Sequence, residues 1–368
     1  MHSNSEDPVA LALSPAGALA RRTACSPGQT VRVGLLLNPK AGRSKSPRQR
    51  HRLQALLGRD DAWDETWDLP SVRRALSRLL CRRGANVLAI AGGDGTVHHT
   101  VNALVELTRE AEAATGIEIP LPRLLILNGG TLNIVGRTCA IHGPPEEILE
   151  KFLRYFSGAP LSRVPARRLP LLNVAWQGAN GPVLPRLGFV FGSEVAYHAI
   201  ALYERFGAGY QGLARFLLEL SRGALFGSEL WRREGWKVGP YESQLAVDAR
   251  IWQRYTGVAA STVDLTLAIG AARTIRRSLY QPGFSVRVIE AVAPAGVVRL
   301  IPAMMSDRPV GGLLDLPSCH HLQLQGPYTL DGELFDEPAN PGQRLQLHVT
   351  LSEVRLHAVP GEWTADEW

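Results

Sequence analysis

What most limits the folds open to this chain is a unit that occurs twice: an apolar run, a break of glycines, and a helix-spaced pattern directly after it. "ANVLAIAGGDGTVHHTVNALVEL" (85–107) and "RLLILNGGTLNIVGR" (123–137) both have this form. In the first, Val97, Val101, Leu104 and Val105 recur on one helical face. An apolar run without alternation suits a strand buried on both sides, which is the condition of a parallel sheet covered by helices. "VRVGLLL" (31–37) is a further strand of this kind, followed by the polar turn "NPKAGRSKS". A helix is expected around 47–57, a short strand in "DAWDETWDL", and a second helix opening at Ser71 with Val72, Ala75, Leu76, Leu79 and Leu80 on one face. Residues 30–165 therefore read as a doubly wound α/β domain.

The texture changes after Pro165. "RLPLLNVAW", "PRLGFVF", "QLAVDARIW", "TVDLTLAIG", "FSVRVIEAV", "HLQLQ" and "LQLHVTL" are short strands separated by Pro and Gly turns, with one helical insert over 203–225. Strands without alternating helices predict an antiparallel β-sandwich over 166–356. Residues 1–29 and 357–368 carry no pattern and read as tails, the first disordered. A length of 368 residues suits two domains.

Composition narrows the partners. The formal charge of +6 comes almost wholly from arginine. It reflects either a coding bias or attraction to phosphates and anionic membranes. Cys25, Cys81, Cys139 and Cys319 are scattered, as isolated thiols in a reducing cytoplasm would be. The pairs His98–His99 and His320–His321 point in different directions on any regular element, so neither makes a metal site by itself. The segment 9–20 lacks a preceding positive stretch, which argues against a signal peptide. The longest uncharged window, 169–185, is broken by Pro, Gly, Asn and Gln and does not read as a membrane span.

The glycine turns carry the chemistry. A glycine-rich turn between a strand and a helix lets backbone N–H groups approach an anion, and the helix adds its positive end. "GGDGT" (92–96) and "NGGTLN" (128–133) are two such turns in adjacent units. The plain alternative is a pair of ordinary tight turns with Asp94 as a helix cap. GxxxxGK[ST] and GxGxxG are both absent, so neither a P-loop nor dinucleotide redox chemistry is indicated. "LDGELF" (330–335) places Asp331 and Glu333 around Gly332. In an extended segment they share a face; in an Asp-Gly hairpin turn they do not.

Taken in order, "LLLNPKAGRSKS", "GGDGTVHHTVNAL", "LNGGTLNIVGR" and "YTLDGELF" resemble the motifs of the diacylglycerol kinase-like lipid kinases, which include diacylglycerol, sphingosine and ceramide kinases and bacterial relatives. The resemblance spans residues 31–335. It implies a nucleotide-binding α/β domain followed by a β-sandwich, with ATP and Mg²⁺ as cofactors. It sets Asn38, the loop after it and Thr66 beside the nucleotide and wraps Gly92, Gly93, Asp94, Gly95, Thr96 and His98 around the phosphates. Gly130, Thr131 and Asn133 join them from the second turn. Glu333 becomes the general base, with Asp331 orienting it or helping to hold Mg²⁺, and Asp94 a catalytic carboxylate. Glu194 is a weaker match to an acidic residue near the lipid head group, and a rim glutamate is the simpler reading of it. Two departures stand out. His98 and His99 occupy positions where the family has a carboxylate, and the Asp-Asp-Gly loop of many bacterial members has no counterpart. "YQPGFSV" (280–286) lacks the acid, and Asp315 lies too close to Asp331. The metal ligands stay unassigned.

The expected activity is phosphoryl transfer from ATP to a hydroxyl of a diacylglycerol-like or sphingoid lipid. The alternatives are an NAD kinase-like enzyme and a catalytically silent nucleotide- or lipid-binding homologue. The expected setting is cytoplasmic, in peripheral contact with an anionic membrane surface and with no nucleic-acid partner; a homodimer is left open. The segment 203–227 mixes aromatics, leucines and arginines and suits either a lipid entrance or a helix packed on the sandwich.

Overall fold

A computed structural model describes residues 29–42, 46–58, 62–130, 132–178, 181–182, 185–206, 215, 218–219, 222–223, 226–266, 273–275, 281–304, 310–336 and 345–363. The chain forms two compact units. One runs to Leu169 and resumes at Val354; the other is Pro170–Glu353.

The first unit is built from β1 (Val33–Leu37), α1 (Pro47–Leu57), β2 (Trp63–Glu65), α2 (Leu69–Leu76), β3 (Val87–Ala91), α3 (Asp94–Thr115), β4 (Arg123–Ile126), α4 (Ile134–Thr138), α5 (Pro145–Phe156) and β5 (Arg167–Leu169). A π-helical turn, Ser77–Arg82, extends α2. Every residue of β1 and β3 is buried, as continuous apolar runs require. Ser71, expected to open α2, is instead its third residue. Asp68 accepts from the Ser71 amide at 2.8 Å, while the Ser71 hydroxyl accepts from the Asp68 amide at 2.9 Å. This reciprocal pair starts the helix at Leu69, with Pro70 pre-set in its first turn.

The sheet order is β2-β1-β3-β4, continued by a strand at Leu356–Ala358 (β21 in chain order) and then β5. The strands from β2 to β21 are parallel, and β5 is antiparallel to β21. From β1 the chain moves to β2 on one side, then back past β1 to β3. With right-handed crossovers, this reversal puts α1 on one face and α2 and α3 on the other. Accordingly α1 packs with α5, and α2 with α3. A reversal of this kind opens a crevice beyond the carboxyl ends of β1 and β3.

Both termini of the first unit reach further than the sequence indicated. The segment after 356, read as a tail, supplies β21 and then packs inward. Val359 N donates to Leu124 O and Gly361 N to Cys139 O, each at 2.8 Å. Trp363 is 4% exposed, with its ring centroid 5.7 Å from those of Phe152 and Phe156. At the other end, Gln29 O accepts from Leu161 N at 2.7 Å, so the ordered chain begins before Thr30. Cys25 and the rest of 1–28 lie outside the described residues.

The second unit contains β6 (Leu172–Gly178), β7 (Gly181–Pro182), β8 (Arg186–Gly188), β9 (Val190–Glu194), α6 (Val195–Tyr203), α7 (Glu229–Glu234), β10 (Leu245–Val247), β11 (Arg250–Trp252), β12 (Tyr255–Ser261), β13 (Leu265–Thr266), β14 (Arg273–Ile275), β15 (Phe284–Glu290), α8 (Pro294–Met304), β16 (Leu313–Cys319), β17 (Leu322–Gln325), β18 (Tyr328–Leu330), β19 (Glu333–Phe335) and β20 (Gln346–Leu351). Two antiparallel sheets hold most of it: β11-β10-β17-β20-β6-β7 with β8 on β6, and β16-β15-β12-β9-β18-β19. One core joins them, with Leu172, Val174, Leu347 and Val349 from the first sheet and Phe191, Val258, Val286 and Tyr328 from the second. β12, "YTGVAAS", has few of the residues that favour strands. Its small side chains make room for α6: a Cβ on Gly257 would lie 2.4 Å from Val195 Cγ1. The helical insert starts at Val195, before the expected Tyr203, and much of 207–225 lies outside the described residues.

Candidate nucleotide site

Three turns meet at the carboxyl ends of β1, β3 and β4, and backbone contacts lock them together. Asn38 N donates to Ala91 O at 3.0 Å, and Gly129 N to Gly92 O at 3.0 Å, so each turn continues its strand's ladder by one step. A Cβ on Gly42 would stand 2.5 Å from Gly129 O, and one on Gly130 would stand 2.4 Å from Gly93 Cα. No side chain can sit between these backbones. Glycine at 42, 93, 129 and 130 is thus a condition of the three turns meeting at all, whereas a Cβ on Gly92 would lie 2.4 Å from the Thr96 side chain of its own turn.

Side chains brace the same contact. Asn38 Nδ2 donates to Thr96 Oγ1 at 2.8 Å, joining the β1 turn to the first turn of α3. Asn38 Oδ1 accepts from Lys40 N at 2.9 Å, and Lys40 Nζ donates to Trp67 O at 3.0 Å beyond β2. Asn133, in a left-handed conformation (φ 49), closes the β4 turn: its Oδ1 accepts from Gly130 N at 2.9 Å and its Nδ2 donates to Gly130 O at 3.0 Å. Asp94 Oδ1 accepts from Val135 N at 3.4 Å, a long link from α3 to α4.

Gly93 is the N-cap of α3 and supplies no side chain to it, and Asp94 is the first helical residue. The amino end of this 22-residue helix thus receives no N-cap side chain, and its positive end lies at the turn. Gly93, Asp94 and Gly95 are partly exposed, as are Asn38, Gly130 and Asn133. Together they can receive an anion.

Other expected site residues lie deeper or elsewhere. Gly92, Thr96 and His98 are buried, His98 at 3% exposure with its ring edge-on to His99. Thr66 is also buried; its amide donates to Leu37 O at 2.9 Å and closes the β1–β2 ladder. Thr131 lies outside the described residues. Lys40 and Gly42 belong to the loop after Asn38, which the resemblance sets beside the nucleotide; the structural need for Gly42 arises from Gly129, some ninety positions away.

In the second unit Asp331 and Gly332 form the two-residue turn between β18 and β19, with φ values of 55 and 90 and with Leu330 paired to Glu333. That is the tight hairpin geometry, so Asp331 and Glu333 do not share a face. Asp331 Oδ1 accepts from Phe189 N at 2.8 Å and Val190 N at 2.9 Å, pinning the turn to the start of β9. Glu333 begins β19 and is partly exposed. Glu194 is 2% exposed with φ 56, which corrects the rim reading. Asp315 is a β16 strand residue whose carboxylate pairs with Arg287, Oδ2 to Nη2 at 2.7 Å. In the 280–286 segment, Gly283 adopts φ 72 just before β15.

Residues 32–157 match the model of the diacylglycerol kinase catalytic domain. No curated protein matches the chain. Among solved structures, a "putative diacylglycerol kinase" from Bacillus anthracis str. Sterne superposes with a TM-score of 0.59 at 12% identity, over 91% of this chain and 98% of the other. A structure named as a diacylglycerol kinase from the same organism gives 0.56 at 13% identity, over 91% and 98%. At these identities the likeness shows the fold, an α/β unit followed by antiparallel sheets. The glycine turns of this chain lie inside the segment, residues 32–157, that matches the diacylglycerol kinase catalytic domain.

Proposed function

We propose that the protein is a lipid kinase that transfers the γ-phosphate of ATP to a hydroxyl of a diacylglycerol-like or sphingoid lipid. The observation that carries this reading is the set of three turns locked backbone to backbone at the sheet's reversal point, with the amides of the α3 amino end at one of them. In the proposed complex those amides and Lys40 neutralise the phosphates, while Asn38, Gly130 and Asn133 hold the turns against them and Thr131 is a further proposed phosphate contact. Thr96 and His98 support the turns from below, and Thr66 fixes the end of β2. Asp94 is the acidic group nearest the α3 amides in sequence. Phosphoryl transfer needs positioning and charge neutralisation more than covalent chemistry.

Mg²⁺ ordinarily supplies part of that neutralisation. Among the described residues no three His, Cys, Asp or Glu side chains are grouped to hold a metal. An ion held mostly by nucleotide phosphates and water is compatible with that, because Mg²⁺ commonly takes only one or two protein carboxylates. Glu333 is the proposed proton acceptor for the attacking hydroxyl, and Asp331 acts through it by fixing the hairpin. The second reading, a silent nucleotide-binding homologue, is favoured by the commitment of Asp331 Oδ1 to backbone amides.

Peripheral contact with an anionic membrane belongs to the same proposal. Among the described residues no helix is long and apolar enough to cross a membrane. Phe226 is 83% exposed and Leu218 58%, with Arg222, Arg232 and Arg233 exposed in the same stretch of chain. Exposed aromatic, leucine and arginine side chains within one stretch of chain suit an interfacial surface.

Labelled ATP offered with diacylglycerol, sphingosine, ceramide and NAD, each lipid in anionic vesicles, tests the reading. Label in one of the lipids is expected. Label in NAD would replace the lipid kinase with an NAD kinase, and ATP binding without transfer would leave the silent homologue.

A further inference from the structure

The end of the first sheet opposite the glycine turns holds a cavity of about 250 Å³. It lies where β1, β3 and β4 begin, so Arg32, Asn86 and Arg123 line it, with His357 of β21 beside them. Leu80, Leu104, Ile119, Leu121, Pro122 and Leu161 form its apolar part, and no Asp or Glu contributes to the lining. The five-residue strands separate it from the glycine turns by roughly 16 Å, at about 3.3 Å per residue.

The arginines have structural duties that use only part of their capacity. Arg123 donates from Nη1 to Leu161 O at 2.7 Å and to Val164 O, tying down the connection before β5. Its Nε and Nη2 have no hydrogen-bond partner among the described residues. Arg32 donates from Nε to Gly84 O at 2.8 Å and is otherwise exposed at the mouth. A guanidinium presents five N–H donors in a fork that matches an oxyanion. The charged groups that act on His357 are all arginines, while Glu112 Oε1 accepts from Ile119 N at 2.9 Å on the apolar side. Burial lowers the Arg123 pKa. Burial first, and then Arg123, Arg168 and Arg355, hold the His357 imidazole below its usual value. A half-buried guanidinium without a counter-charge is costly, and a bound anion offsets that cost.

We propose that this cavity is a binding site for a small organic oxyanion, a phosphomonoester or carboxylate on a short carbon skeleton, held by the forks of Arg32 and Arg123 with His357 and covered by the apolar wall. The volume of about 250 Å³ lies below the ~300–1,000 Å³ range of drug-sized ligand sites and suits a smaller molecule.

Calorimetric titration of the full chain with glycerol phosphate, inorganic phosphate and malonate, at fixed ionic strength and with glycerol as the neutral control, tests it. A Gly130→Val background, in which the glycine turns are forced apart, removes phosphate binding at that end. Saturable binding of one anion is expected to persist in that background. It should weaken tenfold or more in Arg32→Ser and in His357→Gln, at an exposed and a partly exposed position, with the melting temperature of each variant verifying folding. Absence of saturable binding, binding abolished by Gly130→Val alone, or binding unchanged in both Arg32→Ser and His357→Gln would each overturn the proposal.

Discussion

At the scale of single residues, the site depends on atoms that are not there. Gly92, Gly93, Gly129 and Gly130 all lie outside the left-handed region, so conformational freedom does not explain them. Close approach does. Gly130→Ala places a Cβ 2.4 Å from Gly93 Cα, and because that neighbour is backbone the turns must separate. We expect the variant to stay folded and to lose at least tenfold in ATP affinity, equivalent to ~1.4 kcal/mol. Gly58→Asn, at φ 63 with nothing within 4 Å, should be neutral in the same nucleotide titration. Full affinity in Gly130→Ala would remove these turns from the nucleotide site. His357 makes a second residue-scale prediction. Its folded pKa is lowered, so the unfolded state binds the extra proton as pH falls. The stability it contributes is complete above its unfolded pKa of about 6.5 and is lost on acidification toward the folded value. His357→Gln should flatten the fall in denaturation midpoint between pH 7 and pH 5. An unchanged slope would show that His357 titrates normally. Burial acts on Cys139 as well, raising its thiol pKa to about 12, so it should resist alkylation until the protein unfolds.

At the scale of elements, the β18–β19 hairpin separates two carboxylates that sequence spacing alone had paired. The Asp-Gly turn was legible as a hairpin signal, but its consequence for Asp331 came from the amides of Phe189 and Val190, distant in sequence. Asp331→Ala removes both acceptor contacts and puts alanine at φ 55, which should cost about 1–3 kcal/mol by denaturant titration. Asp331→Asn keeps an acceptor and tolerates that backbone, so it should cost less. Glu333→Gln should leave stability unchanged and lower turnover by ~10²–10⁴-fold. If Asp331→Ala is as stable as the parent yet equally impaired in turnover, Asp331 belongs to the chemistry and not to the turn. The elements missed in the sequence have related causes. β12 is poor in strand-forming residues because α6 packs on it, and α8 carries Pro302, a poor helix signal.

At the scale of the molecule, the first unit is discontinuous. β21 lies between β4 and β5, and Trp363 fills the space beside Phe152 and Phe156. A fragment of residues 29–165 therefore lacks β5 and β21 and exposes the edge of β4. We expect it to aggregate or to melt without cooperativity, whereas 29–169 joined by a short linker to 354–363 should melt in one transition. Trp363→Ala in the full chain should cost about 3–5 kcal/mol, as expected for truncating a buried aromatic. If the 29–165 fragment melts cooperatively near the full-length temperature, the returning strand is an accessory.

The sequence by itself determined the alternation of strand and helix, the two glycine turns and the change to antiparallel sheets, because each is written in local period and in glycine placement. The four ordered motifs also pointed to the family that the comparisons support for residues 32–157. What it left open is set by contacts between distant positions. The return of 354–363 to the first sheet depends on an open sheet edge that no local pattern encodes. The need for Gly42 depends on Gly129, the burial of Thr66 on Leu37, and the cavity lining on strand starts brought side by side. Local physics is carried in neighbouring residues, whereas these outcomes exist only once the sheet order has decided which ends of the chain meet.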